Sequence, residues 1–405
     1  MSEVHIFELN DDCMRSVIQY LSVEDKFNLY HVCTFFRQLL TECSGKCQKM
    51  ICNAYEKSHR QKLLLGSHNV KELSIALNNT SYYWPLLAMP EMLCKIIEGM
   101  TQLEHLSLSI DANLARWQPV VLALRNLPKF KSLSISGPSQ QFQNCNRPFE
   151  VLPNYFLKNL SHLRHLEELS LTAQVYVHDL VEYCKSNDKL RALRLHGGCE
   201  GNISAIATHC PNLEEVKFRM EKETDYEPVT KLPKLKKLII EGNVWYPMAI
   251  FFKTFSSESL EQLQLIDVQH IHLDFEATQQ IVRMKALKSL SCYFREARSM
   301  ELLSQLKELE EIFIVRSNFV GFPAAFLKIL TSCTKLDCFC IGDAFELTRD
   351  LIFQVAELLE SIRNPIAQEP LKLELGVFTK LSPRDARLID TAYLRLGTNP
   401  YSTVK

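Results

Sequence analysis

The chain has 405 residues, of which 46% are hydrophobic and 23% charged, and this predicts a folded protein with two or three domains or one core that extends along a line. The 46 basic and 47 acidic residues leave a net charge of −1, so we expect no global attraction to nucleic acid or to an anionic membrane. No apolar stretch reaches the ~18 residues that a membrane span requires, and we expect no export signal at the N-terminus.

Fourteen cysteines are scattered along the chain. Without an export signal they are expected to be reduced thiols, which indicates a cytoplasmic and/or nuclear protein. One group, Cys43, Cys47, Cys52 and His59, suggests zinc, but its spacing fits no common ligand pattern. We therefore predict no metal and no other cofactor.

The first 40 residues predict two or three short helices. Asn10 is placed to cap a helix that opens with Asp11 and Asp12, and the stretch from Ser22 to Asp25 is similar to a capping box. Apolar residues follow both caps at helical spacing, namely Met14, Val17, Ile18 and Leu21, then Leu29, Val32, Cys33 and Phe36. Because about 35 residues cannot bury enough surface to be stable alone, we expect another surface to cover them.

This stretch resembles the F-box. The positions that match its usual pattern without a gap are Leu9, Asp12, Met14, Val17, Ile18, Tyr20, Leu21, Asp25, Leu29, Val32, Cys33 and Phe36. The departures are Asn10 at a usual proline, Cys13 and Lys26 at leucine positions, and Phe36 where tryptophan is frequent.

The resemblance implies an F-box helical domain over residues 5–42 that binds a Skp1-type adaptor and, through it, cullin and RING subunits. The implied adaptor-binding residues are Leu9, Met14, Val17, Ile18, Leu21, Leu29, Val32, Cys33 and Phe36. The alternative is that these helices only cap the structure behind them. Residues 43–69, which are rich in basic side chains, are predicted to form a helical linker.

A pattern of apolar-x-x-apolar-x-apolar recurs twelve times in the rest of the chain. The copies begin at Val70, Leu103, Phe130, Leu166, Leu190, Leu213, Leu235, Leu260, Leu287, Leu309, Leu336 and Pro370. Their mean spacing is about 27 residues, which lies within the range of leucine-rich repeats. Cys184, Cys210 and Cys333 resemble the cysteine that ends the helix in one repeat subtype, and we expect them in the core.

Each copy predicts a short parallel strand, and the segment behind it has helical spacing. The predicted fold is thus an α/β leucine-rich-repeat solenoid of about 12 repeats over residues 70–376. Because helices are wider than the ~4.8 Å strand spacing, we expect an open arc or horseshoe with concave strands and convex helices. Residues 377–405 are expected to form a C-terminal cap or tail.

The third and fifth residues of each copy, and the residue after the sixth, are predicted to face the concave wall. Early copies place small polar groups there: Ser107, Ser109, Ser132, Ser134, Ser136, Ser170 and Thr172. The middle copies place charged or titratable groups there: Arg194, His196, Glu215, Lys217, Arg219, Lys237 and Glu241. Later copies place apolar groups there: Ile239, Ile266, Tyr293, Phe313 and Val315.

We hypothesise that Tyr293, Phe313 and Val315 hold an apolar anchor of a protein target. An acidic or phosphorylated segment of the target would then contact Arg194, Lys217 and Arg219. The alternative is that the C-terminal tail of this chain folds back over the wall. No phosphate-binding loop, nucleophile elbow or zinc-protease motif occurs, so no catalytic residue is predicted.

The F-box resemblance implies a non-enzymatic substrate-recognition subunit of an SCF ubiquitin ligase. The rival interpretations are a repeat scaffold that acts without ubiquitin and an extracellular repeat receptor.

Overall fold

The structure is a computed structural model. It describes residues 9–43, 48–53, 63, 69–77, 89–110, 118–136, 154–172, 174–197, 199–200, 204–220, 226–242, 247–316, 319–343, 347–376 and 391–398. The chain divides into two compact units, residues 1–200 and 201–405. Within the described ranges, every helix is too short or too polar to cross a membrane.

The first unit opens with three helices, which confirms the helical prediction for this stretch. They are α1 (Asp11–Tyr20), α2 (Val23–Tyr30) and α3 (Thr34–Cys43). Helix α3 packs against both α1 and α2, so the three form a small bundle.

The remainder of the first unit is built on parallel strands. Its sheet has the order β1-β2-β3-β4-β5-β7, and a separate two-stranded pair joins β6 to β8. The strands are β1 (Lys49–Asn53), β2 (Glu72–Leu77), β3 (His105–Ile110), β4 (Ser132–Ser136), β5 (Glu168–Leu171), β6 (Val175–Tyr176), β7 (Ala192–Leu195) and β8 (Cys199–Glu200). The helices between them are α4 (Met89–Glu98), α5 (Gln118–Leu124), α6 (Asn154–Leu160) and α7 (Val177–Ser186).

The second unit continues the same alternation. Its parallel strands, each paired with the next, are β9 (Glu215–Met220), β10 (Lys237–Gly242), β11 (Leu265–Leu273), β12 (Ser289–Phe294), β13 (Glu311–Arg316), β14 (Cys338–Asp343), β15 (Leu371–Leu375) and β16 (Leu394–Thr398). Its helices are α8 (Ser204–His209), α9 (Glu227–Thr230), α10 (Met248–Lys253), α11 (Ser257–Gln262), α12 (Phe275–Ile281), α13 (Ala297–Glu301), α14 (Phe322–Ser332) and α15 (Arg349–Ile362), with a 3-10 turn at Leu302–Gln305.

The repeat pattern builds the core of both units. In the copy that starts at Leu103, the first, fourth and sixth residues (Leu103, Leu106 and Leu108) are buried, while His105 and Ser107 between them are partly exposed. Equivalent residues of neighbouring strands pair in register, as Leu106 does with Leu133. Each apolar side chain therefore stacks on its counterpart one repeat away, and the predicted α/β leucine-rich-repeat fold is confirmed.

The prediction of a helical linker over residues 43–69 is wrong at Lys49–Asn53, where the structure has a strand. Strand β1 lies within it and pairs in parallel with β2, with Met50 opposite Leu73 and Cys52 opposite Ile75. Met50 and Cys52 take the core positions that leucine or isoleucine fills elsewhere, which is why the pattern was missed. Cys52 is buried in this apolar core, which argues against a role as a zinc ligand. Cys47 and His59 of the same group lie outside the described residues.

The tail predicted over residues 377–405 includes a further strand. Strand β16 pairs in parallel with β15, so Leu394 stands opposite Leu371 and is buried. Residues 394–398 thus extend the sheet edge instead of crossing the wall. Residues 377–390 and 399–405 of the predicted tail lie outside the described residues.

One repeat is predicted in the wrong register. The copy assigned to Leu260 begins at Leu263, because Ile266 and Val268 pair with Leu238 and Ile240 and are buried with them. Ile266 is therefore a core residue, which corrects its prediction as a wall residue. Leu265, Asp267 and Gln269 are the partly exposed residues of this repeat.

The cysteine position of the repeat also needs one correction. Cys333 lies three residues before its repeat's first leucine, and its thiol donates to the carbonyls of Leu303 (3.6 Å) and Leu306 (3.3 Å). In the repeat that starts at Leu190 the same offset holds Asn187, not Cys184. The Asn187 amide donates to the Leu166 carbonyl at 3.0 Å, so an asparagine makes the equivalent link to the previous repeat. Cys184, Cys210 and Cys333 are all buried, as predicted.

Candidate functional site

The N-terminal helices begin where their caps predict. The Asn10 side-chain oxygen accepts from the Cys13 amide at 2.8 Å, which satisfies one of the unpaired donors at the start of α1. Ser22 does the same for α2, with its hydroxyl oxygen 3.1 Å from the Asp25 amide. Between the helices, Arg15 of α1 reaches Glu42 of α3 at 2.9 Å.

A closed core holds the three helices together. Met14 and Ile18 of α1 and Phe36, Leu39 and Leu40 of α3 are each 2–3% exposed. Further apolar side chains pack against this core while remaining partly exposed: Leu21, Phe27, Leu29, Tyr30, Cys33 and Cys43. Met14, Ile18 and Phe36 were predicted to contact an adaptor, and their burial corrects this, since a buried side chain supports the bundle and presents no surface.

Within residues 9–43, which the structure describes, five large apolar side chains on the helices and the segments next to them face outward. Their exposed fractions are 37% for Leu9, 47% for Val17, 91% for Tyr20, 65% for Val32 and 37% for Phe35. We call these five residues the apolar surface of the bundle. Val17 and Tyr20 stand three residues apart on α1, so they share a helical face. Val32 lies in the turn before α3, and Phe35 lies in the first turn of α3.

Sequence reasoning selected only part of this surface. Leu9, Val17 and Val32 were among the predicted adaptor-binding residues. Tyr20 matched the F-box pattern but was not selected, and Phe35 was missed. The three-residue spacing from Val17 to Tyr20 on α1 is the signal that would have found Tyr20.

The wall of the first unit carries a serine row that ends in a charged group. Ser107, Ser134 and Ser170 pair in register along β3, β4 and β5, and Arg194 follows on β7. The Arg194 guanidinium is 3.4 Å from the carboxylate of Glu168, which sequence reasoning did not consider. This part of the wall is therefore flat and polar, with its cation paired within the unit.

In the second unit, Lys217 and Arg219 lie on β9. The Lys217 ammonium is 2.5 Å from the Glu241 carboxylate, and its side chain is only 12% exposed. Arg219 is partly exposed, and its backbone carbonyl accepts a hydrogen bond from Tyr226 at 3.2 Å. The Lys217 charge is thus compensated by Glu241, so a target carboxylate would have to compete with this ion pair.

The apolar part of this wall lies on β12 and β13. Tyr293, Phe313 and Val315 are all partly exposed, in contrast to the buried core positions that alternate with them. A register shift in β11 after Asp267 brings His272 opposite Tyr293, and their rings meet edge to face at 5.7 Å. The sequence predicted Tyr293, Phe313 and Val315 on one wall, and the strand pairing keeps them on the same face.

No family model and no curated protein matches the chain. Among solved structures, the yeast Rad7 and Elc1 complex has a similar fold, with 14% identity, coverage of 97% of this chain and 92% of that one, and a TM-score of 0.49. A leucine-rich-repeat protein of Leptospira interrogans is 14% identical, with coverage of 89% and 97% and a TM-score of 0.41. An internalin of Listeria monocytogenes is 13% identical, with coverage of 96% and 93% and a TM-score of 0.36.

Proposed function

We propose that this protein is the substrate-recognition subunit of an SCF-type ubiquitin ligase. In this proposal residues 5–42 act as an F-box that docks on a Skp1-type adaptor, and the leucine-rich repeats hold a protein target. The chain itself carries out no chemistry. It raises the local concentration of target lysines near a recruited ubiquitin-conjugating enzyme.

The observation that carries the proposal is the apolar surface of the bundle. The bundle has a core of its own, yet Tyr20 and Val32 expose 91% and 65% of their surface. Exposed apolar groups concentrated on one small element are typical of a protein-binding site. The F-box resemblance of the same residues supports a Skp1-type adaptor as the protein that covers them.

The adaptor hypothesis is tested best on exposed residues, because a charge there leaves the bundle core intact. We expect wild-type protein to co-purify with a Skp1-type adaptor, and Val17→Asp and Val32→Asp to lose it. An Asp carboxylate buried in an apolar interface has no cation or hydrogen-bond donor to replace its lost water. This costs several kcal/mol of binding free energy, which lowers the affinity roughly a hundredfold or more.

Ile250→Asp is the matched control, since Ile250 is 61% exposed on α10 of the second unit. This variant should bind the adaptor like wild type, and all three should melt at wild-type temperature. If the wild-type chain fails to bind a Skp1-type adaptor, the scaffold that acts without ubiquitin becomes the better interpretation.

We further propose that the second unit contacts the target through Tyr293, Phe313 and Val315. Their partial exposure beside the polar groups of the same wall supports an apolar anchor site. Tyr293→Ala and Phe313→Ala should each weaken target capture by about 1 kcal/mol or more, with adaptor binding unchanged. The proteins captured by the wild type but not by these variants identify the target; equal capture by all three would contradict this contact.

A further inference from the structure

Two cysteines of β14 face the wall of the second unit side by side. Cys338 and Cys340 are two residues apart on the strand, so both point to the same face, while Phe339 and Ile341 enter the core. Their sulfur atoms are 3.5 Å apart. Both side chains are partly exposed, and a solute can therefore reach them.

A carboxylate from the next strand completes a cluster of three. Glu374 of β15 stands opposite Cys340, and its Oε2 lies 3.2 Å from the Cys340 sulfur. The other oxygen, Oε1, is 2.6 Å from the ammonium of Lys372. Lys372 thereby holds a largely buried carboxylate with one oxygen directed at the Cys340 thiol.

This arrangement differs from that of the cysteines that support the repeats. Cys333 is buried and donates to two backbone carbonyls, and Cys292 is fully enclosed in the core. Those thiols act as small apolar side chains. Cys338 and Cys340 instead occupy positions where other repeats present wall residues, and within the described residues they and Glu374 form a group whose ligand atoms all lie within 4.8 Å of one another.

The distances suit a tetrahedral divalent cation. Zn–S bonds of ~2.3 Å at tetrahedral angles place two sulfurs about 3.8 Å apart, and a Zn–O bond of ~2.0 Å places sulfur and oxygen about 3.5 Å apart. The observed separations of 3.5 Å and 3.2 Å are each within about 0.3 Å of these values. The ligand atoms of the third pair, Cys338 and Glu374, lie within 4.8 Å of each other, so side-chain rotations would bring all three ligands onto one ion.

We propose that Cys338, Cys340 and Glu374 form a Zn²⁺ site on the wall of the second unit. Two thiolates and one carboxylate bring three negative charges, which the cation and the Lys372 ammonium balance. The three protein ligands leave the fourth tetrahedral position open toward the solvent-facing side of the strands, where water or a side chain of a bound protein completes it. The proposal does not depend on the adaptor hypothesis.

Cobalt provides the direct test, because Co²⁺ occupies zinc sites and its thiolate charge-transfer absorption reports the number of sulfur ligands. Full-length protein, reduced and without an affinity tag, is titrated with Co²⁺, and Zn²⁺ is then added. We expect one Co²⁺ per chain with a two-thiolate signal that Zn²⁺ abolishes. Zn²⁺ should also raise the melting temperature of wild-type protein.

Three variants and a control locate the site. Cys338→Ser and Cys340→Ser should weaken Co²⁺ binding at least about 100-fold, since even outer-shell changes cost 10- to 100-fold. Glu374→Gln should weaken binding at least about tenfold yet keep the two-thiolate signal in the bound form. Cys13→Ser, at an exposed cysteine of the bundle, should bind like wild type.

Melting temperatures measured without metal establish that each variant is folded. If the Cys340→Ser variant binds Co²⁺ as tightly as the wild type, the proposal is overturned. A wild-type chain that binds no Co²⁺ while both thiols remain reduced would overturn it as well.

Discussion

Asn187 links two repeats of the first unit, and its replacement should destabilise the protein more than any surface change. Its side chain is 1% exposed, and its amide donates to the Leu166 carbonyl at 3.0 Å and to the Tyr183 hydroxyl at 2.8 Å. Its oxygen accepts from the Lys189 amide at 3.2 Å. Asn187→Ala removes all three contacts and leaves buried polar groups without their partner.

The magnitude follows from these contacts. A neutral hydrogen bond contributes about 1 kcal/mol net, and an unsatisfied buried partner adds to the loss, so three contacts predict about 2–4 kcal/mol of unfolding free energy. The urea m-value grows with the surface exposed on unfolding, so for a chain of 405 residues it should be about 4 kcal/mol/M, and the unfolding midpoint should fall by roughly 0.5–1 M. Asn187→Cys should recover part of this loss, because Cys333 makes the equivalent carbonyl contacts in another repeat.

Urea unfolding followed by far-ultraviolet circular dichroism measures the effect. Asn126→Ala is the control, since Asn126 is exposed and its replacement should change stability by less than about 0.5 kcal/mol. An Asn187→Ala midpoint indistinguishable from that of this control would refute the reasoning that the amide bridges the repeats.

Three further measurements test other parts of the structure. Burial raises the pKa of the Cys333 thiol to about 11, so at pH 8 about one molecule in a thousand carries a thiolate there. Native Cys333 should therefore resist alkylation until the chain unfolds, and equal alkylation rates before and after unfolding would contradict its burial. Gly342→Ala should cost about 1–3 kcal/mol in urea unfolding, because an added Cβ would lie 2.6 Å from the Val315 carbonyl oxygen; an unchanged midpoint would contradict this close approach. The hydrogen bond and charge of Lys49 lower the pKa of Glu72, so the stabilisation from this pair should fade as pH falls through the Glu72 pKa. Lys49→Ala should raise the Glu72 pKa in a carboxyl NMR titration, and an unchanged Glu72 pKa would contradict the pairing.

The error at Leu260 shows where a periodic pattern becomes ambiguous. Apolar residues occur at Leu260, Leu263, Leu265, Ile266 and Val268, so two placements of the repeat fit the letters almost equally well. Leu260 belongs to α11, so its side chain lies on a helix and not on the strand that follows. Only the pairing of Ile266 with Leu238 on the neighbouring strand selects the register.

The spacing of residues along the chain was sufficient to predict much of this structure. The repeat period, the buried face of most strands, the Asn10 and Ser22 caps and the wall positions of Tyr293 and Phe313 all follow from residues within one turn or one strand, where the backbone dictates the direction of each side chain. The α/β repeat fold could therefore be predicted from the sequence.

Tertiary structure decided the features that join distant parts of the chain. Met14 and Tyr20 lie on the same helix, but packing against α3 buries the first and leaves the second exposed. Cys340 and Glu374 are 34 residues apart and meet only because β14 and β15 pair in one register. Such contacts depend on which side chain another segment places opposite, and no local pattern encodes that choice.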